Sequence, residues 1–255
     1  MTQIPRPEHP QPQMKREHWK NLNGEWDFSF DFGCSGIDQK WQEGKTDWEK
    51  KILVPFCPES DLSGIGYKDF IPGVWYHRTI TLTGEELKGD LLLHFGAVDY
   101  DARVWINGVE AGRHQGGYVS FTFNITKFVK KGENDITLFA ADDVRSGKQP
   151  KGKQSHFFYS RGCDYTRTTG IWQTVWLEWV PESYIEKVQY YPNLAEATLG
   201  IKAVVKGQGT LEAKAFYGGE PCGSVSAKSE GGTVTMTLPL SRLETVSYTH
   251  LRAHE

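Results

Sequence analysis

ARVWINGVEAG, residues 102–112, is the strongest local signal in the chain. Asn107-Gly108 accepts positive φ at little cost, so the pair closes a two-residue hairpin between alternating strands. Working outward, LLLHFGAV (91–98) is a mostly apolar strand suited to burial on both faces. WYHRTITL (75–82) is β-branched and aromatic, and the polar turn TGEELKGD follows it. HWKNLNGEWDFSFDF starts another strand, with Trp26, Phe28 and Phe30 on one side of a period-2 pattern. SFTFNIT (120–126), NDITLFAAD (134–142) and TGIWQTVWLEWV (169–180) continue the series. Strands at short intervals, turn signals between them and almost no helical period predict an all-β antiparallel sandwich. Pro181-Glu182-Ser183 reads as a linker. Beyond it, YIEKVQYYP, ATLGIKAVVKG, TLEAKAFYGG, SVSAKS and TVTMTLPL form a second, less aromatic group of short strands. An immunoglobulin-like sandwich takes about seven strands, so this second group reads as a partial one.

Composition bounds the partners. Charged residues make up 24% of 255 and the net charge is −3, with no basic surplus for nucleic acid and no charged tail. No apolar run approaches the roughly 20 residues of a membrane span. MTQIPRPEHPQPQMKREH lacks the apolar core of a signal peptide and reads as an extended arm over residues 1–18. Cys34, Cys57, Cys163 and Cys222 are far apart and form no CxxC pair. Neither a zinc site nor a disulfide framework is indicated, and a reduced, cytoplasmic location is expected. Aromatics reach 13%, with nine Trp, which serves a large sandwich core or sugar stacking equally well.

LNGEWDF, VPFCPES, GVWYHR, LLLHFGAVDYDARVWINGVEAGRHQGGYVSFTFNITKFVKKGENDITL and TTGIWQTVWLEWVP occur in this order. Together they resemble the N-terminal part of glycoside hydrolase family 2, the β-galactosidases, β-glucuronidases and their relatives. The resemblance implies a jelly-roll, galactose-binding-like β-sandwich over residues 19–181, then a partial immunoglobulin-like β-sandwich over 182–245. It further implies a (β/α)8 barrel that this sequence does not contain, and with it both catalytic Glu. The chain is therefore expected to be inactive by itself, as the sugar-binding part of a retaining β-glycosidase. A β-galactosidase-type parent comes first on the LNGEWDF opening and the HQGGY–GEN region. A β-glucuronidase comes close on GVWYHR, and a β-mannosidase third. A free-standing carbohydrate-binding or scaffold module is the rival class.

VSYTHLRAHE, residues 246–255, matches a reading-frame translation of a transposon-type sequencing adapter at every position. It is expected to be an artefact fused to a truncated gene. The metal-like spacing of His250 and His254 falls inside it and carries no weight.

Candidate chemistry is sparse. Asp99 and Asp101 alternate around Tyr100 and read as a polar hairpin edge or a capping pair. Asp142-Asp143 reads as a strand end. His77, His94 and His114 have no partner at a readable spacing. Gly116 and Gly117 in HQGGY permit a tight loop, with Gln115 and Tyr118 facing a ligand or a neighbouring domain. Trp172 and Trp176, with Val175 and Leu177, read as strand core.

The most informative residue comes through the resemblance. In the family, an Asp six residues before the Gly of the Gly-Ile motif helps bind hydroxyls of the terminal sugar. Here that residue is Asp164, six before Gly170. An ionised carboxylate accepts two directional, charge-assisted hydrogen bonds from vicinal hydroxyls. Arg167 is expected to pair with it or orient it. The implied ligand is a β-linked carbohydrate, with the barrel as the covalent neighbour and a homo-oligomeric parent allowed. No cofactor is expected in this chain, sodium or magnesium belonging to the intact parent.

Overall fold

A computed structural model describes residues 4–243; Val246–Glu255, with His250 and His254, lie outside the described residues. Asn107 and Gly108 take φ of 51° and 79°. Two positive φ values in succession suit a two-residue hairpin. They join β7 (Asp101–Ile106) to β8 (Val109–Gln115). Around this hairpin lies a six-stranded antiparallel sheet. Its remaining strands are β2 (Gly24–Phe30), β3 (Lys50–Val54), β4 (Gly73–Leu82) and β10 (Gly132–Ala141), in the order β3-β2-β4-β10-β7-β8. Facing it is a four-stranded sheet of β1 (Trp19–Asn21), β5 (Asp90–Phe95), β9 (Phe121–Asn124) and β12 (Val175–Val180), ordered β1-β12-β5-β9. A short pair, β6 (Val98–Asp99) with β11 (Gly170–Ile171), sits apart from both.

The alternation read in β2 does the expected work. Trp26, Phe28 and Phe30 point into the space between the sheets with Leu91, Leu93, Phe95, Val104 and Leu138. Burial of such side chains contributes about 1.5–3 kcal/mol each relative to exposure. Leu91 through Phe95 are buried at every position, which is why that strand reads as mostly apolar. Its outward residue, His94, stacks on Trp176 at 4.7 Å and meets Glu178, while Arg16 of the N-terminal arm pairs with the same Glu178 at 2.5 Å. The outer face of the large sheet has its own cluster, Trp75, Trp105 and Phe139, covered by Trp41 and Trp48. Strand β3 has no counterpart in the sequence reading.

The polypeptide divides into two compact units between Val180 and Pro181. The second is small and also all β. A three-stranded sheet of β13 (Tyr184–Asn193), β14 (Thr198–Lys206) and β17 (Gly232–Pro239) has the order β13-β14-β17. It packs with the hairpin β15 (Gly209–Tyr217)–β16 (Glu220–Ser229) around Ile201, Val205, Met236 and Leu238.

Candidate functional site

The segment from Asp143 to Thr169 leaves β10 and returns at β11 without a regular element of its own. A connection this long holds one shape only if its polar groups are satisfied inside the protein. Four side chains do this. Gln154, fully buried, donates from Nε2 to Asp99 Oδ2 at 2.7 Å and accepts at Oε1 from the Thr168 amide at 2.8 Å. Asp142 accepts from Gln149 Nε2 at 2.6 Å and from Thr169 Oγ1 at 2.9 Å. Glu59 accepts from the Thr169 amide at 3.2 Å. Arg167 donates to the carbonyls of Ser155, Phe157 and Lys68, and its guanidinium lies 4.3 Å from the centre of the Phe70 ring.

Three carboxyl groups thus sit under one loop with little water. Burial, reinforced by nearby Asp142 and opposed by the Gln154 amide, pushes Asp99 up to about 7. Burial raises Glu59 to about 7 against the opposing bonds from Thr169, and Asp142 to about 6 against those from Thr169 and Gln149. Burial also lifts the Cys57 thiol to about 12, with Glu59 adding to it. Desolvation penalises the charged form of each acid, so their neutral forms are favoured well above the usual carboxylate range.

Two glycines make the arrangement possible. A Cβ on Gly117 would lie 2.4 Å from the Asp99 carboxyl, so only glycine lets that backbone pass the buried acid. Gly170 has φ of +72°, and a Cβ there would lie 2.4 Å from the Tyr76 hydroxyl. That hydroxyl, fully buried, accepts from the Ile171 amide at 3.2 Å. The HQGGY stretch therefore packs on the loop: Tyr118 contacts Gln154 and the Lys151 carbonyl, and Trp172 donates to the Gly117 carbonyl at 2.7 Å. Gln115 turns instead to Asp101, at 2.7 Å.

The reading of Asp99 and Asp101 as one polar edge needs correction. Asp99 is wholly buried on β6, whereas Asp101 is half-buried at the start of β7. The histidines also find distant partners: His77 bridges Asp27 and Asp135 at 3.0 and 3.1 Å.

Asp164 stands on the rim of the loop, half-buried. Its backbone exchanges two hydrogen bonds with Arg161, at 2.9 and 3.0 Å, and Tyr165 beside it pairs with Lys153 and Ser155. Among the described residues its carboxylate has no hydrogen-bond or ion-pair partner, so both oxygens remain available to a ligand. Phe158, Tyr159 and Tyr165 are exposed around it. Arg167 is close in sequence but not in role. It is 97% buried, and all its named bonds go to main-chain carbonyls, so it fixes the loop rather than pairing with Asp164. No group of three or more His, Cys, Asp or Glu side chains is placed to hold a metal among the described residues.

Residues 19–181 match the family model for the "Glycosyl hydrolases family 2, sugar binding domain". The chain belongs to glycoside hydrolase family 2. Its relatives include the β-glucuronidases of Sus scrofa, 27% identical over 92% of this chain and 40% of the relative, and of Homo sapiens, 26% identical over 71% and 31%. Among solved structures, an uncultured Clostridium sp. β-glucuronidase superposes with a TM-score of 0.68 at 21% identity, covering 90% of this chain and 41% of the other. A Ruminococcus gnavus β-glucuronidase in complex with uronic deoxynojirimycin gives 0.68 at 20%, with the same coverage. The family 2 chain thus spans between about three-tenths and two-fifths of the length of these proteins. Their names are β-glucuronidase, where the sequence reading placed β-galactosidase first.

Proposed function

We propose that the chain is the sugar-binding, non-catalytic part of a retaining β-glucuronidase, and that Asp164 holds hydroxyls of the terminal sugar. The observation that carries the β-glucuronidase assignment is the similarity to β-glucuronidases along 92% of the chain. The site geometry supports the role of Asp164. Its main chain is fixed by Arg161, the loop below is fastened by Gln154 and Arg167, and the carboxylate is left unused. A carboxylate on a backbone already fixed leaves only its side-chain freedom to be lost on binding, and each charge-assisted bond to a hydroxyl then contributes about 1.5–3 kcal/mol. Both catalytic carboxyl groups, which in retaining enzymes stand about 5–5.5 Å apart, would come from a (β/α)8 barrel outside this sequence. That barrel would close the open rim on which Asp164 stands. Any sodium or magnesium would belong with those additional ligands, and a cytoplasmic location forms part of the same proposal.

A chimera tests the assignment. Residues 4–180 replace the matching domain of the Ruminococcus gnavus β-glucuronidase, and hydrolysis of nitrophenyl β-glucuronide and β-galactoside is compared. The expected result is a chimera that hydrolyses the glucuronide and whose kcat/KM falls about 10- to 150-fold on Asp164→Asn, the loss of one charged hydrogen bond. A folded chimera in which Asp164→Asn changes nothing would remove Asp164 from the account, and a folded chimera without glucuronide hydrolysis would remove the glucuronidase assignment.

A further inference from the structure

Between Asp143 and Asp164 the sequence carries no acidic residue, yet it holds Arg145, Lys148, Lys151, Lys153 and Arg161, with His156 among them. This concentration stands out in a chain whose net charge is −3. Arg145, Lys151 and His156 converge on one cavity of about 450 Å³, backed by Val144 and Gly147. None of the three is paired with a carboxylate among the described residues. Of the two acids that precede this stretch, Asp142 is turned inward and already accepts from Gln149 and Thr169, and Asp143 forms no ion pair with the three among the described residues.

The two cations and the imidazole also make contacts that position them. The Arg145 guanidinium lies 4.0 Å from the centre of the Phe70 ring, the same ring that carries Arg167 at 4.3 Å. The two guanidinium groups thus share one aromatic ring. Lys151 spends one of its three donors on the Gln154 carbonyl at 2.6 Å and keeps two. His156 packs against Phe157 with ring centres 4.2 Å apart. Such a set matches the planar, multi-oxygen geometry of a carboxylate or sulfate.

The cavity is tied to the Asp164 rim by backbone pairing. Tyr165 donates to the Lys153 carbonyl at 2.8 Å and accepts from the Ser155 amide at 2.7 Å. Lys151 and His156 are three and two residues from Gln154, whose bridge to Tyr165 stands next to Asp164.

We propose that the Arg145–Lys151–His156 cavity is a second subsite, which takes the anionic group, carboxylate or sulfate ester, of a sugar in the same carbohydrate chain as the unit held by Asp164. This rests on the reading of Asp164 as a sugar ligand. The site gives the protein a preference for acidic carbohydrates that does not depend on the barrel.

The test uses the 255-residue chain, labelled with 15N, and follows the amide signals of Arg145, Gly147, Lys151 and His156. The probes are glucuronate, glucose 6-sulfate, glucose and inorganic sulfate. Saturable shifts with the two acidic sugars, at least about tenfold tighter than glucose and weakened by added salt, are expected. Whichever acidic sugar binds more tightly identifies the preferred group. The Arg145→Gln/Lys151→Gln double variant should abolish the preference, while Lys153→Gln outside the cavity should keep it. Equal binding of glucose and the acidic sugars, or a preference unchanged in the double variant, overturns the subsite. So does inorganic sulfate binding as tightly as glucose 6-sulfate, since the sugar would then contribute nothing. Asp164→Asn separates the two readings: if it leaves all sugar binding untouched while the double variant still removes the acidic preference, the Asp164 reading fails and the cavity stands.

Discussion

Asp99→Asn should make folding stability less dependent on pH. Burial raises the Asp99 carboxyl from 3.8 to about 7. Between those values the unfolded chain is ionised and the folded one holds the proton. The stabilisation is therefore fully present below about pH 4 and is lost as pH rises through about 7. From about pH 5 to about pH 8 the wild type crosses roughly two pKa units of this window, a loss of about 3 kcal/mol at 1.36 kcal/mol per unit. Asparagine mimics the protonated acid: its oxygen still accepts from Gln154 Nε2, now at 2.7 Å to Asp99, and it carries no titrating group. Glu59 titrates in both proteins and cancels in the comparison, while the repulsion between Asp99 and Asp142 is removed together with the Asp99 charge. Urea unfolding followed by tryptophan fluorescence is the assay, because all nine Trp lie between Trp19 and Trp179 and report the first unit alone. The variant should be near neutral at about pH 5 and more stable than wild type by about 3 kcal/mol at about pH 8. A stability difference that stays constant within about 0.5 kcal/mol across that range would refute the reasoning.

Gly170→Ala combines a positive φ with a Cβ placed 2.4 Å from the Tyr76 hydroxyl, and should destabilise the first unit by about 2–4 kcal/mol in the same unfolding assay. A cost under about 1 kcal/mol would mean that β11 can shift freely. Tyr76→Phe leaves the buried Ile171 amide without its acceptor and should cost about 1–3 kcal/mol, and an unchanged midpoint would contradict that bond. Arg167→Gln frees the carbonyls of Ser155, Phe157 and Lys68, so limited proteolysis within residues 145–165 should accelerate at least about tenfold while tryptophan fluorescence is retained. Cleavage at the wild-type rate would show that the loop is held by other contacts.

The sandwich was legible because its signals are local. Trp26, Phe28 and Phe30 alternate within one strand, Asn107-Gly108 encodes its own turn, and Leu91–Phe95 is apolar because both its faces are covered. The support of the candidate site was not legible, for the opposite reason. Asp99 meets Gln154 across 55 residues, and Glu59 meets Thr169 across 110. Nothing near Asp99 in sequence distinguishes a buried acid from a turn residue, and the glycine at 117 that admits it could be read only as a loop glycine. Arg167 shows the limit of proximity in sequence: three residues from Asp164, it points into the loop and fastens it. Asp164 itself was reached through family resemblance, since a half-buried loop carboxylate has no periodicity to reveal it.

The central claim is that the Asp143–Thr169 rim, with Asp164 at its edge, is where carbohydrate binds. Mapping the amide shifts of the whole 15N-labelled chain as methyl β-glucuronide is added tests it most directly. The account requires saturable shifts concentrated at residues 143–169 and the adjoining 59–70 segment, with those at 161–169 lost in Asp164→Asn. Shifts centred instead on the groove that Arg6, Trp172 and Trp176 line, or on the Trp41–Trp48 cover of the large sheet, would contradict it.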